Sequence, residues 1–212
     1  MNNVIFVTGI HTDAGKSYAT GWLAKTLMEQ GKKVATLKFI QTGNVGHSED
    51  IDVHRKIMGI ELPEDADGIT APQIFSYPCS PQLAAEIDKK EIDLGAIDKA
   101  ITTLSDRYDI VLVEGAGGLM VPLTDTFWTI DYIASRSLPV ILVTNGTLGS
   151  INHTMLSFEA IERRAIDIPA VVYNCHFDST DRTIADDTIG FIKRYLAKRH
   201  PNTKLLLCPS II

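Results

Sequence analysis

Val4-Ile-Phe-Val-Thr-Gly-Ile-His-Thr-Asp-Ala-Gly-Lys-Ser17 runs from an apolar stretch into a glycine-bounded loop and on into a helical pattern. The order strand, loop, helix is the one a triphosphate needs. Backbone N–H groups of such a loop can wrap phosphate oxygens, and the helix that follows presents its positive end. Lys16 can reach the β- and γ-phosphates, and the Ser17 hydroxyl can ligand Mg2+. Five residues separate Gly9 from Gly15 where four are usual, and position 10 is Ile. The bland alternative is a helix start with a solvated Lys and a capping Ser.

The rest of the chain sets the frame for that loop. At 212 residues it suffices for one substantial core, so a single domain over 1–212 is expected. Apolar residues make up 45% and charged residues 22%, an ordinary globular balance. A net charge of −6 argues against a nucleic-acid surface and toward a small-molecule partner. Cys79, Cys175 and Cys208 are odd in number and lack metal-ligand spacing, which fits reduced thiols. No leader-like pattern opens the sequence and no apolar stretch has the length of a membrane span, so a cytoplasmic location is expected.

Short β-branched runs alternate with helical patterns: Val4 to Thr8, Val34 to Lys38, Ile110 to Glu114, Val140 to Thr144, Ala170 to Asn174 and Lys204 to Cys208. Runs that are apolar throughout suit a parallel sheet covered on both faces. Ala19, Leu23 and Leu27 repeat at helical spacing before a stop at Gly31. Further helices are expected over Ile97 to Leu104, Ser150 to Arg164 and Arg182 to Arg199, and residues 61 to 80 read as a long loop. The expected fold is a doubly wound α/β domain with helices on both faces of a mostly parallel sheet.

Ligands of such sheets bind beyond the carboxyl ends of the strands. Gly9, Lys38, Glu114, Asn174 and Pro209 all fall there. Glu114 opens Glu-Gly-Ala-Gly-Gly118, a carboxylate beside accessible backbone and a suitable Mg2+ contact. Glu49-Asp-Ile-Asp52 offers either another metal carboxylate or an acid-rich helix start that complements the dipole. Lys38 either snorkels or points at charge developing on a transferring phosphoryl group. Leu148-Gly-Ser-Ile-Asn-His153 opens a long helix with Ser150 as the expected cap, and its N–H groups would accept a carboxylate or be satisfied by the cap alone. His153 is expected to be structural.

Taken in order, these segments resemble the dethiobiotin synthetase family, ATP-dependent cyclising ligases of biotin synthesis with a P-loop NTPase-type fold. The resemblance also covers Ser80-Pro81 with Ala84-Ala85, Pro122-Leu-Thr-Asp-Thr-Phe127 and Asn174. It implies a homodimer that joins CO2 to 7,8-diaminononanoate at the expense of ATP. It implies stabilisation of carbamate and transferring phosphate by Lys16 and Lys38, with Ser17, Asp50 and Glu114 around Mg2+. Nucleotide contacts are implied for Asp13, Ala14, Gly15, Lys16, Ser17, Tyr18, Asp50, Glu114, Gly115, Ala116, Gly117, Asn174 and Pro209. Thr12 and Thr42 would lie at the diamine end, with Gly149, Ser150, Ile151 and Asn152 holding the substrate carboxylate across the dimer interface. The chain departs from the family at Ile10, where Thr is frequent, at Phe39, where Pro is usual, and at Gln82, where His is usual.

Partitioning and septum-positioning ATPases share this architecture and form a competing class. They carry an extra Lys early in the loop, where this chain has His11. A related amide-forming ligase of cobalamin synthesis needs a glutamine-hydrolysing domain that would not fit in 212 residues.

Overall fold

The computed structural model describes residues 3–210. Its first half runs β1 (Val4–Gly9), a 3-10 turn (Thr12–Ala14), α1 (Lys16–Glu29), β2 (Val34–Lys38), β3 (Gln41–Thr42), α2 (Glu49–Met58), α3 (Pro63–Ala66), β4 (Ile74–Phe75), α4 (Pro81–Asp88) and α5 (Leu94–Ser105). The second half runs β5 (Ile110–Gly118), β6 (Pro122–Thr124), β7 (Phe127–Trp128), α6 (Thr129–Ser135), β8 (Val140–Thr144), α7 (Ser150–Glu162), β9 (Ala170–Asn174), a 3-10 turn (Cys175–Phe177), α8 (Arg182–Arg199) and β10 (Lys204–Cys208).

Six strands form one parallel sheet in the order β10-β9-β8-β1-β5-β2. The runs Val34–Lys38, Val140–Thr144 and Ala170–Asn174 are buried at every position, as strands covered on both faces require. From the central β1, the crossover through α1 travels toward β2, whereas that through α7 carries β8 to β9 on the other side. Right-handed crossovers in opposite directions put the two helices on opposite faces. The reversal at β1 is where such sheets open a crevice, and the glycine-bounded loop leaves from that strand.

The structure corrects several local expectations. Strand β1 continues through Gly9 and β5 through Gly118, because these two glycines pair with each other after a register shift. Residues 61 to 80 are not one loop: they contain α3 and β4, and β4 pairs in parallel with β3. Ser150 does not cap α7. That place belongs to Gly149 in the left-handed region (φ 95°), and the Ser150 hydroxyl donates instead to Asn145 Oδ1 at 2.6 Å. His153 is exposed, its ring centroid 5.7 Å from that of His11.

All three family departures have a structural reading. Phe39 is fully buried between Phe6 and Tyr132, with ring centroids 5.4 and 4.7 Å away, so it serves the core. Ile10 is likewise part of the core cluster. Gln82 reaches Asp125, its Nε2 donating to Oδ1 at 2.7 Å.

Candidate active site

The loop after β1 is shaped by its own atoms. The Asp13 amide donates to His11 Nδ1 at 3.0 Å, and Gly15 turns the chain into α1 with φ 78°. A side chain at position 15 would strike Asn174 Nδ2 and the Phe177 ring, so glycine is required both by conformation and by space. The first turn of α1 then presents the N–H groups of Lys16 and Ser17 where phosphate oxygens would lie.

Helix α2 is aimed at the same place. Ser48 caps it by accepting from the Ile51 amide at 3.2 Å, and Ser48 is itself held through its hydroxyl to Gln41 Oε1 at 2.6 Å. That start exposes Glu49 and Asp52 to solvent and turns Asp50 inward. The acid-rich run is therefore both a helix start and the source of one site carboxylate.

At the centre, Lys38 Nζ bonds Glu114 Oε1 at 2.8 Å and the Gly115 carbonyl at 3.2 Å, with a second ion pair to Asp50 Oδ2. It does not snorkel. Burial alone would lower its pKa, but the carboxylates of Glu114 and Asp50 outweigh it and raise the value above that of an ordinary lysine. Glu114 is also buried, which favours its neutral form, yet Lys38, His54 and Lys16 together hold it well below the usual carboxylate range. Lys16 has the opposite balance. Burial and then the charge of Lys38 bring it down to about 8, while its Nζ donates to the loop carbonyls of His11 (3.3 Å) and Thr12 (3.1 Å).

Ser17 Oγ lies 2.6 Å from Asp50 Oδ1 and 2.9 Å from Glu114 Oε1. A hydroxyl has one hydrogen and can serve only one of these oxygens, so the other contact sets oxygen lone pairs against each other. A hard cation relieves that crowding. Two carboxylates and a hydroxyl, with room left for phosphate and water, form a donor set that fits Mg2+.

These groups open into one cleft of about 660 Å3 that also takes in Thr12, Thr42, Ala116 and Gly117. Beside this cleft, Asn174 Nδ2 donates to the Gly15 carbonyl at 3.1 Å, joining the last residue of β9 to the loop. Tyr18 stacks on His176, centroids 4.7 Å apart, and His176 reaches Ser210 beside the exposed Pro209. Gly149, Ile151 and Asn152 are not brought to this cleft within one chain; they border a separate depression with Thr183 and Asp187.

One buried contact escaped the sequence reading. His54, one turn beyond Asp50 on α2, is fully buried and lies 2.6 Å from Glu114 Oε2 through Nε2. Its spacing of four from Asp50 places both on one helix face, a signal present in the sequence.

Fold and loop together define a P-loop nucleotide-binding α/β domain. A family model described as an AAA domain matches residues 3–200. Among solved structures, a putative plasmid partition protein from Borrelia burgdorferi bound to AMPPNP superposes with a TM-score of 0.56 at 13% identity, covering 98% of this chain and 86% of that one. The signal recognition particle receptor FtsY from Elizabethkingia anophelis gives 0.52 at 14% identity, over 97% of this chain and 57% of that one. At such identities the likeness concerns the fold alone.

The sequence relatives are more specific. ATP-dependent dethiobiotin synthetase BioD 2 of Pasteurella multocida is 50% identical over 96% of this chain and 95% of its own length. BioD of Chlorobaculum tepidum is 46% identical over 91% and 82%, and that of Methanococcus vannielii 33% identical over 91% and 88%. The chain belongs to the ATP-dependent dethiobiotin synthetase family.

Proposed function

We propose that this enzyme joins CO2 to 7,8-diaminononanoate and closes the ring to dethiobiotin, converting ATP to ADP and phosphate. The observation that carries the reading is the convergence of Lys16, Ser17, Lys38, Asp50 and Glu114 in the cleft shared with Thr12 and Thr42. Membership of the synthetase family supports the substrate, and the net charge of −6 agrees with a small-molecule partner rather than nucleic acid.

The chemistry has three steps. One amine adds to CO2 and loses a proton, giving a carbamate. A carbamate oxygen attacks the γ-phosphorus and the bond to ADP breaks. The neighbouring amine then attacks the activated carbonyl carbon, phosphate leaves with the bridging oxygen, and a proton is lost as the cyclic urea forms. Lys16 binds the β/γ-phosphate region, and Lys38 faces charge that accumulates during transfer. Thr12 and Thr42 orient the diamine, while Asn174 and Pro209 border the base. Ser17, Asp50 and Glu114 would hold Mg2+, which would supply positive charge against the phosphates.

Gly149 to Asn152 receive the tail carboxylate of a diamine held mainly by the other subunit of a homodimer. Their separation from the cleft within one chain supports that arrangement. No helix among the described residues is long and apolar enough to cross a membrane, and the proposed cytoplasmic location rests on the family instead. Phosphate release should require both diamine and bicarbonate. Release at the same rate without diamine would make the protein a simple ATPase.

A further inference from the structure

The side chain of His54 spans two strands of the sheet. Nδ1 lies 3.0 Å from Thr36 Oγ1 on β2, and Nε2 lies 2.6 Å from Glu114 Oε2 on β5. On its other side Thr36 Oγ1 receives Arg55 Nη1 at 2.7 Å. A guanidinium only donates, so Thr36 accepts there and has its own hydrogen to give. The bond it gives falls on His54 Nδ1. An imidazole that accepts at Nδ1 carries its proton on Nε2, and that proton points at Glu114 Oε2.

The start of this chain is fixed far from the cleft. Arg55 is clamped by Asp65 through Nε and Nη2, both at 2.7 Å, and Asp65 also accepts from Thr70 Oγ1 and the Leu62 amide. Burial of His54, Thr36 and Glu114 keeps water from competing at the Thr36–His54 and His54–Glu114 links. With Oε2 occupied, Oε1 is the oxygen that faces Ser17 and Lys38.

We propose that His54 is a positioning residue: held as the Nε2–H tautomer by Thr36 and Arg55, it orients the Glu114 carboxylate so that Oε1 is presented to the divalent cation. The inference rests on the reading of Glu114 as a metal ligand. Partners of this kind, one bond behind the ligand, change metal affinity by about 10–100-fold when removed.

The test uses Mn2+ as probe, its binding to the enzyme–ADP complex read by electron paramagnetic resonance, and 15N-histidine NMR on the nucleotide-free enzyme. The NMR should show the His54 proton on Nε2, and a proton on Nδ1 overturns the proposal without any variant. His54→Leu should weaken Mn2+ binding about 10-fold or more, and the Mg2+ concentration for half-maximal turnover should rise in step while the diamine KM stays fixed. His54→Gln, whose amide can donate to the same oxygen, should restore most of the affinity. Thr36→Val should show part of the loss and keeps the test open if His54→Leu does not fold. Wild-type Mn2+ affinity in a folded His54→Leu or Thr36→Val protein, alongside a weakened Glu114→Gln control, overturns the positioning role alone. A Glu114→Gln protein that binds Mn2+ like wild type removes the ligand reading and the proposal with it.

Discussion

Replacing Lys38 with Met keeps most of the side-chain length and removes the charge that neutralises two carboxylates. The Lys38 and Glu114 side chains are 5% and 1% exposed, and that of Asp50 is 25% exposed. Stripping one partner from a buried ion pair costs about 3–5 kcal/mol. Asp50 can be partly hydrated in place and Glu114 keeps His54, so the lower end, about 3 kcal/mol, applies here. Each kcal/mol moves the melting temperature by about 2–4 °C in a protein of this size, so Lys38→Met should melt about 6–12 °C lower in the absence of metal. Millimolar Mg2+ returns positive charge to the same oxygens and should raise the variant's melting temperature more than that of wild type. The sign of the pH dependence follows from the shifts. Lys38 is raised and Glu114 depressed, so the stabilisation is complete between the ordinary carboxylate and lysine values and is lost only below the first or above the second. The deficit should therefore match at about pH 6 and about pH 7, below the value to which Lys16 is brought. Turnover should fall about 10²–10³-fold with a nearly unchanged KM for ATP, because the partner of Lys38 is charge made during the reaction. Scanning calorimetry with and without Mg2+ checks the stability claim. Equal melting temperatures, or equal responses to Mg2+, would mean that Lys38 does not neutralise these carboxylates.

Lys16, brought down to about 8 by burial and by Lys38, must carry its proton against bound phosphates. ADP affinity should be flat below that pH and fall by up to about tenfold per pH unit above it, and calorimetry in buffers of different ionisation enthalpy at about pH 9 should detect proton uptake. Gly15→Ala places a methyl within 2.3 Å of Asn174 Nδ2 at φ 78°. It should cost about 2–4 kcal/mol and abolish nucleotide binding, as read by denaturant unfolding and ADP titration. Amidating the diamine carboxylate removes up to about 2 kcal/mol of helix-end attraction, and Asn152→Asp sets a like charge beside it; each should raise the diamine KM several-fold without changing ATP affinity. Sedimentation should find the active species dimeric, and a fully active monomer would remove the cross-subunit arrangement.

The six sheet strands were legible because a strand buried on both faces has to be apolar along its whole length, as Val140–Thr144 is. Their extensions were not. Gly115 to Gly118 carry no strand preference of their own, and only pairing of Gly118 with Gly9 continues β5 past Glu114. Short elements such as β4 depend likewise on a partner distant in sequence, here β3. At the site, the phosphate loop and Glu114 stood out through glycine spacing and a carboxylate at a strand end. Choosing Asp50 from its acidic neighbours requires the orientation of α2, which Ser48, Gln41 and Asn44 set together. His54 was hidden because a lone buried histidine reads as core until its two strand partners are known. Ser150 misled for a related reason: serine favours helix caps, but Asn145 claims its hydroxyl and leaves the cap to Gly149.

The central claim is that ATP activates a carbamate on the diamine, and oxygen transfer tests it most directly. Enzyme, diamine, ATP and Mg2+ are mixed with 18O-labelled CO2, and product and phosphate are weighed by mass spectrometry. The product should be a cyclic urea carrying one labelled oxygen, with phosphate released in equal amount and also carrying one oxygen from CO2. Unlabelled phosphate without cyclic product would contradict it, leaving water as the acceptor of the phosphoryl group.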